Sequence, residues 1–251
     1  MSRPRAIRPD PGGKVPKTAM VMAAGLGKRM RPLTATRPKP LVEVAGKALL
    51  DHVFDRLKAA GVERAVVNVH YLADALEAHL RNRVSGIEIV ISDERGRLME
   101  TGGGLVQARD LLGDEPFLYV NSDNLWIDGP SDAIRLLAAR WDDTAMDALL
   151  LMVPYARAHN HSGQGDFRLA PDGRITGRRG RGRVAPFVWT GVQIMHPRLI
   201  ADWPEGPFST NLFWDRAIAA GRAFGAVHQG LWFDVGTPGA IRRTEALLAD
   251  G

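Results

Sequence analysis

Residues 23–41 place small side chains and cations in an order suited to holding a polyanion. Ala23-Ala24-Gly25-Leu26-Gly27 presents backbone N–H groups with little side chain in the way, and a turn of exposed N–H groups is an anion cradle. Lys28, Arg29, Arg31, Arg37 and Lys39 follow closely, so a bound triphosphate would meet backbone donors and positive side chains together. The string is not a Walker A loop. It is not a dinucleotide G-x-G-x-x-G either, because Met30 stands at the third glycine position. Lys39 lies between Pro38 and Pro40, and the two prolines are expected to hold it on a stiff, extended segment. Two distant carboxylates complement these cations. Asp123 follows an apolar run in Asn121-Ser122-Asp123, and Asp234 sits in Trp232-Phe233-Asp234-Val235-Gly236-Thr237-Pro238. A few carboxylates plus phosphate oxygens are how Mg²⁺ is commonly held for phosphate chemistry. Each aspartate alone also reads as a turn or cap residue.

Three further strings admit more than one chemistry. Glu100-Thr101-Gly102-Gly103-Gly104 reads either as a surface against which a flat base can lie or as a flexible helix start. His159-Asn160-His161 has the look of a metal pair, but no third ligand follows at regular spacing, which favours solvated or hydrogen-bonded histidines. Arg174, Arg178, Arg179, Arg181 and Arg183 alternate with glycines. That tract reads as a solvated hairpin loop, as a lid over an anionic sugar phosphate, or as a nucleic-acid contact.

The elements that must position these residues follow from periodicity. Residues 18–23 form a short buried strand opening into the glycine loop. Leu49, Leu50, Val53, Phe54, Leu57 and Ala60 recur at helical spacing, and Gly61 supplies a stop. Strands are expected at 64–69, 87–91 and 117–120, with helices at 72–80 and 105–111, the latter begun by the three glycines. Strand–helix alternation of this kind predicts an α/β fold with a Rossmann-like, doubly wound, mostly parallel sheet. In open sheets of that type ligands collect at the carboxyl ends of the strands, where Asp123 falls. The second half reads as a smaller mixed α+β sub-lobe. Strands are expected at 148–153, 167–169, around Ile175 and at 188–195, with a turn at Asp172-Gly173 and helices at 208–220 and 238–248. Thr237 is the expected N-cap of the last helix, with Pro238 at its first position.

The full string G-x-G-x-R-x-x-P-L-T…P-K-P-L resembles the sugar-1-phosphate nucleotidylyltransferase family, and the resemblance runs from about residue 18 to residue 248. The strings M-E-T-G-G-G and H-N-x-x-G-x-G-D-F resemble the N-acetylmuramate-1-phosphate uridylyltransferase subgroup. The resemblance implies a GT-A-like nucleotidyltransferase fold with a sugar-binding sub-lobe, and a Mg²⁺-dependent condensation of an NTP with a sugar 1-phosphate, releasing pyrophosphate. It implies Arg29 and Lys39 as catalytic residues, and nucleotide contacts from Ala23, Ala24, Gly25, Gly27, Thr101, Gly102 and Gly103. It further implies a sugar pocket of Gly165, Asp166, Thr190 and Gly191, with Asp123 and Asp234 as metal ligands. UTP and N-acetylmuramate 1-phosphate are the favoured pair, which would place the enzyme in cell-wall (peptidoglycan) recycling. The alternatives are a hexose-1-phosphate guanylyl- or thymidylyltransferase, a nucleotide-sugar-binding homologue without turnover, and a nucleic-acid-binding protein. The hexapeptide repeat of a β-helix acyltransferase domain is absent from the sequence.

Composition bounds these readings. The chain has 251 residues, 45% of them hydrophobic and 24% charged, which is ordinary for a globular protein. It has no cysteine, which removes disulfides, Cys-ligated zinc and thiol nucleophiles together. Neither a signal peptide nor an apolar run long enough to span a bilayer is present, so a cytoplasmic enzyme without membrane partners is expected. The formal charge is +5. Residues 1–17, expected as a basic Pro/Gly-rich extension ahead of one nucleotidyltransferase domain at 18–251, carry +4 of it, and the arginine tract carries +5. The remainder is therefore mildly acidic, and the net charge says little about the ligand. Oligomeric state is not readable from the sequence.

Overall fold

Buried strands and one-sided helices alternate through the first half of the chain in the computed structural model, which describes residues 12–249. Most of the expected basic extension, residues 1–11, lies outside the described residues. The alternation runs β1 (Thr18–Met22), the two-residue strands β2 (Glu43–Val44) and β3 (Lys47–Ala48), α1 (Leu49–Ala60), β4 (Arg64–Val69), α2 (Ala73–Arg83), β5 (Glu88–Asp93), α3 (Glu100–Leu112) and β6 (Phe117–Asn121). The second half comprises β7 (Asn124–Ile127), α4 (Ala133–Arg140), β8 (Ala148–Pro154), β9 (Ala158–His159), β10 (Phe167–Leu169), β11 (Ile175–Arg178), β12 (Phe187–Met195), α5 (Asn211–Ala219), β13 (Ala223–Val227), β14 (Leu231–Asp234) and α6 (Pro238–Ala249).

A nine-stranded sheet carries the molecule. Its path is β11-β10-β12-β6-β1-β4-β5, with β8 pairing β12 and β13. The four strands β6, β1, β4 and β5 are parallel. From β12 onward the pairing turns antiparallel, apart from the parallel pair β13–β8. Successive residues of β1 serve opposite faces. Ala19 and Val21 join a layer with Leu50, Phe54, Leu57, Leu76 and Leu137 from α1, α2 and α4, while Met20 joins Leu105, Tyr119, Phe213 and Trp214 on the other side. α1 ends where the spacing requires, because Gly61 takes φ 91° and its N–H reaches the carbonyls of Leu57 and Lys58. Thr237 caps α6 through its hydroxyl, which accepts the Ala240 N–H at 3.3 Å.

A second, three-stranded sheet runs β7-β14-β9. β14 is antiparallel to β7 and sets Asp234 opposite Asn124. It is parallel to β9 and sets Phe233 opposite His159. This small sheet is absent from the periodicity reading, since its strands are too short to show a period.

Several expectations are revised. The three glycines do not precede the third helix but lie inside α3, which begins at Glu100. The helix expected from residue 208 begins at Asn211. Residues 206–208 instead cross α3, and the Phe208 carbonyl accepts the N–H groups of Gly102 and Gly103 at 2.7 and 3.2 Å. At the amino end, Pro16 is buried and Val15 packs on the core, and the Lys17 carbonyl accepts the N–H groups of Glu63 and Arg64. No helix among the described residues is long and apolar enough to cross a membrane.

The crossing over α3 yields a test that separates packing from propensity. Replacing a helical glycine by alanine ordinarily stabilises by roughly 0.5–1 kcal/mol. A Cβ on Gly103 would stand 2.0 Å from the Gly206 carbonyl oxygen. Gly103→Ala is therefore expected to lower the midpoint of urea unfolding; a raised midpoint would mean that the crossing is not tightly formed.

Candidate active site

The glycine loop leaves the carboxyl end of β1 and is tied from below. Asn68, at the end of β4, accepts the N–H groups of Ala23 and Ala24 on its Oδ1 at 2.6 and 3.3 Å. Gly25 is exposed, and no atom lies within 4 Å of where its Cβ would be, which leaves the loop open on the cleft side. Gly27 takes φ 60° and starts a single helical turn, Lys28–Met30. Its Cβ would press on Lys39 and Thr34 at 3.0 Å, so glycine is required there on two counts. Lys39 does not stand on an extended segment as expected. Pro38 is extended, but Lys39 itself opens a helical turn, Lys39–Leu41.

The two aspartates come together through the small sheet. Asp123 directly precedes β7, and the register of β14 against β7 brings Asp234 alongside. Lys39 Nζ is ion-paired with Asp123 Oδ2, both side chains being largely withdrawn from solvent. Arg29 lies over Gly236, where an added Cβ would meet Asp234 Oδ1 at 2.9 Å and Arg29 Nη1 at 3.1 Å. Burial pushes the Asp234 carboxyl up, but His161, Arg29 and Lys39 together outweigh it and hold the group below the usual carboxylate value.

Three connected lobes form one cleft. A lobe of about 190 Å³ contains Arg29, Lys39, Asp123 and Asp234. A second, about 490 Å³, lies over Ala24, Gly25, Leu98, Glu100 and Thr101 and shares Asn121 and Asp123 with the first. The third, about 360 Å³, holds Gly165, Arg178, Arg179 and Trp214 and shares Asp166 and Trp189 with the first. Asp166 is fixed in that wall, since its Oδ2 accepts the Trp189 N–H at 2.9 Å and its carbonyl accepts the Arg179 N–H at 2.6 Å.

Not every residue singled out from the sequence faces this cleft with its side chain or N–H. Gly102 and Gly103 are buried. Their N–H groups serve Phe208, and the space beside them is filled by Phe208 and Gly206, so close helix packing accounts for these glycines. Thr101 does line the cleft, with its hydroxyl accepting the Thr210 N–H at 2.9 Å. Thr190 and Gly191 line the central lobe, although the Thr190 side chain is buried and its hydroxyl donates to the Leu151 carbonyl at 2.9 Å. Gly191 sits at φ 83°, in an irregular stretch of β12, where a Cβ would fall 2.4 Å from Asn124. Gly165, at φ 77°, lies against the Ala185 carbonyl in the same close manner.

Sequence reasoning missed Asn68 and Asn121, and it missed the aspartate that His161 serves. Of the two readings left open for the histidines, His161 follows the hydrogen-bonded one. Its Nδ1 lies 3.7 Å from Asp234 Oδ2, and its Nε2 is buried without a hydrogen-bond partner, beneath Gly163. The only available signal was a histidine beside a glycine in a polar loop. The arginine tract is more ordered than a free loop. Arg178 belongs to β11 and forks onto both Asp215 oxygens at 3.0 and 3.1 Å, while Arg179 donates to Gln164 Oε1 at 3.3 Å.

Comparison with known proteins bears on the family and the fold. Residues 18–166 match the family model described as nucleotidyl transferase. The N-acetylmuramate alpha-1-phosphate uridylyltransferase of Caulobacter vibrioides is 50% identical over 240 residues, covering 94% of this chain and 99% of that protein. The enzyme of the same name from Neisseria meningitidis serogroup B is 36% identical, covering 91% and 97%. Among solved structures, UDP-glucose pyrophosphorylase complexed with UDP-glucose superposes with a TM-score of 0.79 at 17% identity, covering 93% and 98%. The inositol-1-phosphate CTP transferase from T. maritima gives 0.77 at 20% identity, covering 95% and 97%. The two structures share the fold, and the sequence matches carry the conclusion that this chain belongs to the nucleotidyl transferase family.

Proposed function

We propose that the protein condenses UTP with N-acetylmuramate 1-phosphate to give the UDP-sugar and pyrophosphate. The observation that carries this reading is the meeting of Arg29, Lys39, Asp123 and Asp234 in the lobe that joins the other two. One neighbouring lobe, over the glycine loop, suits the nucleotide, and the other, around Asp166, suits the sugar. An oxygen of the sugar 1-phosphate attacks the α-phosphorus of UTP. The new P–O bond forms as the bond to the β-phosphate breaks, and pyrophosphate leaves with the electron pair. The attacking phosphate is already ionised, so no general base is needed. The work of the site is positioning and neutralisation of charge. Loop N–H groups from Gly25 to Gly27 and the side chains of Arg29 and Lys39 would hold the triphosphate. Gly165, Asp166, Thr190 and Gly191 would shape the sugar side.

The donors fit a hard divalent cation. Asp123 and Asp234 offer two carboxylates to one lobe, and no cluster of three or more His, Cys, Asp or Glu that could hold a metal occurs among the described residues. Mg²⁺ is typically bound by one or two carboxylates with substrate phosphates and water completing the octahedron. Asp123 and Asp234 would hold it, and when bound it would supply neutralisation of the triphosphate charge.

The cationic wall of the sugar lobe favours an acidic sugar. Arg179 has no carboxylate partner among the described residues and meets only the neutral Gln164 amide. N-acetylmuramate carries a lactyl carboxylate that a simple hexosamine lacks, and a guanidinium fork matches a carboxylate.

A matrix of four NTPs against several sugar 1-phosphates, read by pyrophosphate release, is expected to give its highest kcat/KM for UTP with N-acetylmuramate 1-phosphate. Chelation of divalent cations should abolish that release and Mg²⁺ should restore it. Removing a single group that stabilises developing charge costs about 10²–10³ in rate, so Lys39→Ala and Asp123→Asn should each lose about that much in kcat. Full turnover in both variants would refute the assignment. Arg179→Ala should raise KM for N-acetylmuramate 1-phosphate about tenfold or more, the size of a lost charge-assisted hydrogen bond, and leave KM for N-acetylglucosamine 1-phosphate unchanged. Equal effects on both sugars would remove Arg179 from acid recognition.

A further inference from the structure

At the floor of the lobe over the glycine loop lies a buried amide–carboxylate pair, of which Asn68 itself lines the lobe. Asn68 and Glu94 are each 1% exposed. Asn68 Oδ1 accepts the N–H groups of Ala23 and Ala24, which orients its amide unambiguously, since the nitrogen could not face two donors. Its Nδ2 then donates to Glu94 Oε1 at 2.7 Å, and Glu94 Oε2 accepts the Met99 N–H at 3.0 Å. The chain of bonds thus runs from the glycine loop, through two side chains, to the residue preceding Glu100 and Thr101. Those two residues line the same lobe as Ala24 and Gly25.

The surroundings are cut to admit this pair. A Cβ on Gly104 would stand 2.7 Å from Glu94 Oε1 and 3.1 Å from Asn68 Nδ2, so the third glycine of α3 is the position that makes room for it. Burial lifts the Glu94 carboxyl above the ordinary carboxylate range, with the Asn68 and Met99 donors acting in the opposite direction. A carboxylate kept dry at that cost and answered by two donors is a fixed strut rather than a solvated charge.

We propose that Asn68 and Glu94 are positioning residues that hold the phosphate-facing glycine loop and the Met99–Thr101 segment in register, so that one nucleoside triphosphate can engage both. The inference rests on the reading of this cleft as a nucleotide site. It assigns the pair to binding of the NTP and not to the sugar side or to the chemical step. Loss of either partner leaves a buried donor or acceptor unmet and lets the two walls of the lobe move independently.

An exchange of the two groups tests this. In Asn68→Asp the carboxylate still accepts from Ala23 and Ala24 but opposes Glu94. In Glu94→Gln one acceptor is lost. In the double variant the carboxylate introduced at position 68 would accept from the amide nitrogen introduced at position 94. The carbonyl oxygen of that same amide would accept from Met99, so every bond is remade with the same net charge. Calorimetric titration with UTP in the presence of Mg²⁺ should show binding weakened at least about tenfold in each single variant. The double variant should return to within about threefold of the unsubstituted protein. KM for UTP should follow the same pattern, while KM for the sugar 1-phosphate stays constant; a merely structural pair would lower the melting temperature without that split. Folded single variants that bind UTP normally, or a folded double variant that binds as weakly as the singles, would overturn the proposal. If one single variant does not fold, the other is compared with the double variant, and the same two outcomes decide. UTP binding without pyrophosphate release from any sugar 1-phosphate would count against the proposed function alone. Unaltered UTP binding in variants of an active enzyme would count against the positioning role alone.

Discussion

Two carboxylates brought to one small lobe repel each other, and much of the local architecture answers that repulsion. The pairing of β14 with β7 is what sets Asp234 beside Asp123. In a half-dry cleft such like charges interact far more strongly than in water. Lys39 is held against Asp123, and Arg29 and His161 are held near Asp234. Each of those partners needs its own support. The Pro38 and Pro40 frame fixes Lys39, Gly27 gives it room, and Gly236 lets Arg29 lie close over Asp234. Glycines scattered through the chain thus turn out to serve one charge-balanced cluster.

How much of this was legible in the sequence depended on range. The glycine loop, Lys39 and the four parallel strands were readable because local order and hydrophobic period encode them. Asp123 was readable because it closely follows a strongly apolar strand. The pairing of β7 with β14 was not, since those four-residue strands are too short for a period and lie far apart in the chain. Asn68 and the partner of His161 were missed for a related reason: a single polar residue acquires its role from a partner distant in sequence. Gly102 and Gly103 show the reverse error. Their run invited a reading toward ligand, whereas Phe208 and Gly206 fill the space that a side chain would take.

The arginine tract divides in the same physical terms. Arg178, in β11, is neutralised by Asp215, and Arg179 is anchored by its backbone to Asp166 and turned to the lobe that Asp166 lines. The tract's charge therefore does not act as one undivided patch.

The charge balance of the central lobe bears directly on what it can hold. Arg29 and Lys39 are countered by Asp123 and Asp234, so the four side chains together are close to neutral. A triphosphate with several negative charges gains little from such a set by simple attraction. What it can gain is directional: N–H groups from an open loop tied down by Asn68, two cations already placed, and two carboxylates that would hold a divalent cation able to neutralise phosphate charge. On the proposed reading, the arrangement that relieves repulsion in the free protein thus leaves Arg29 and Lys39 able to trade a carboxylate for a phosphate, and Asp123 and Asp234 able to trade a side-chain cation for a divalent one.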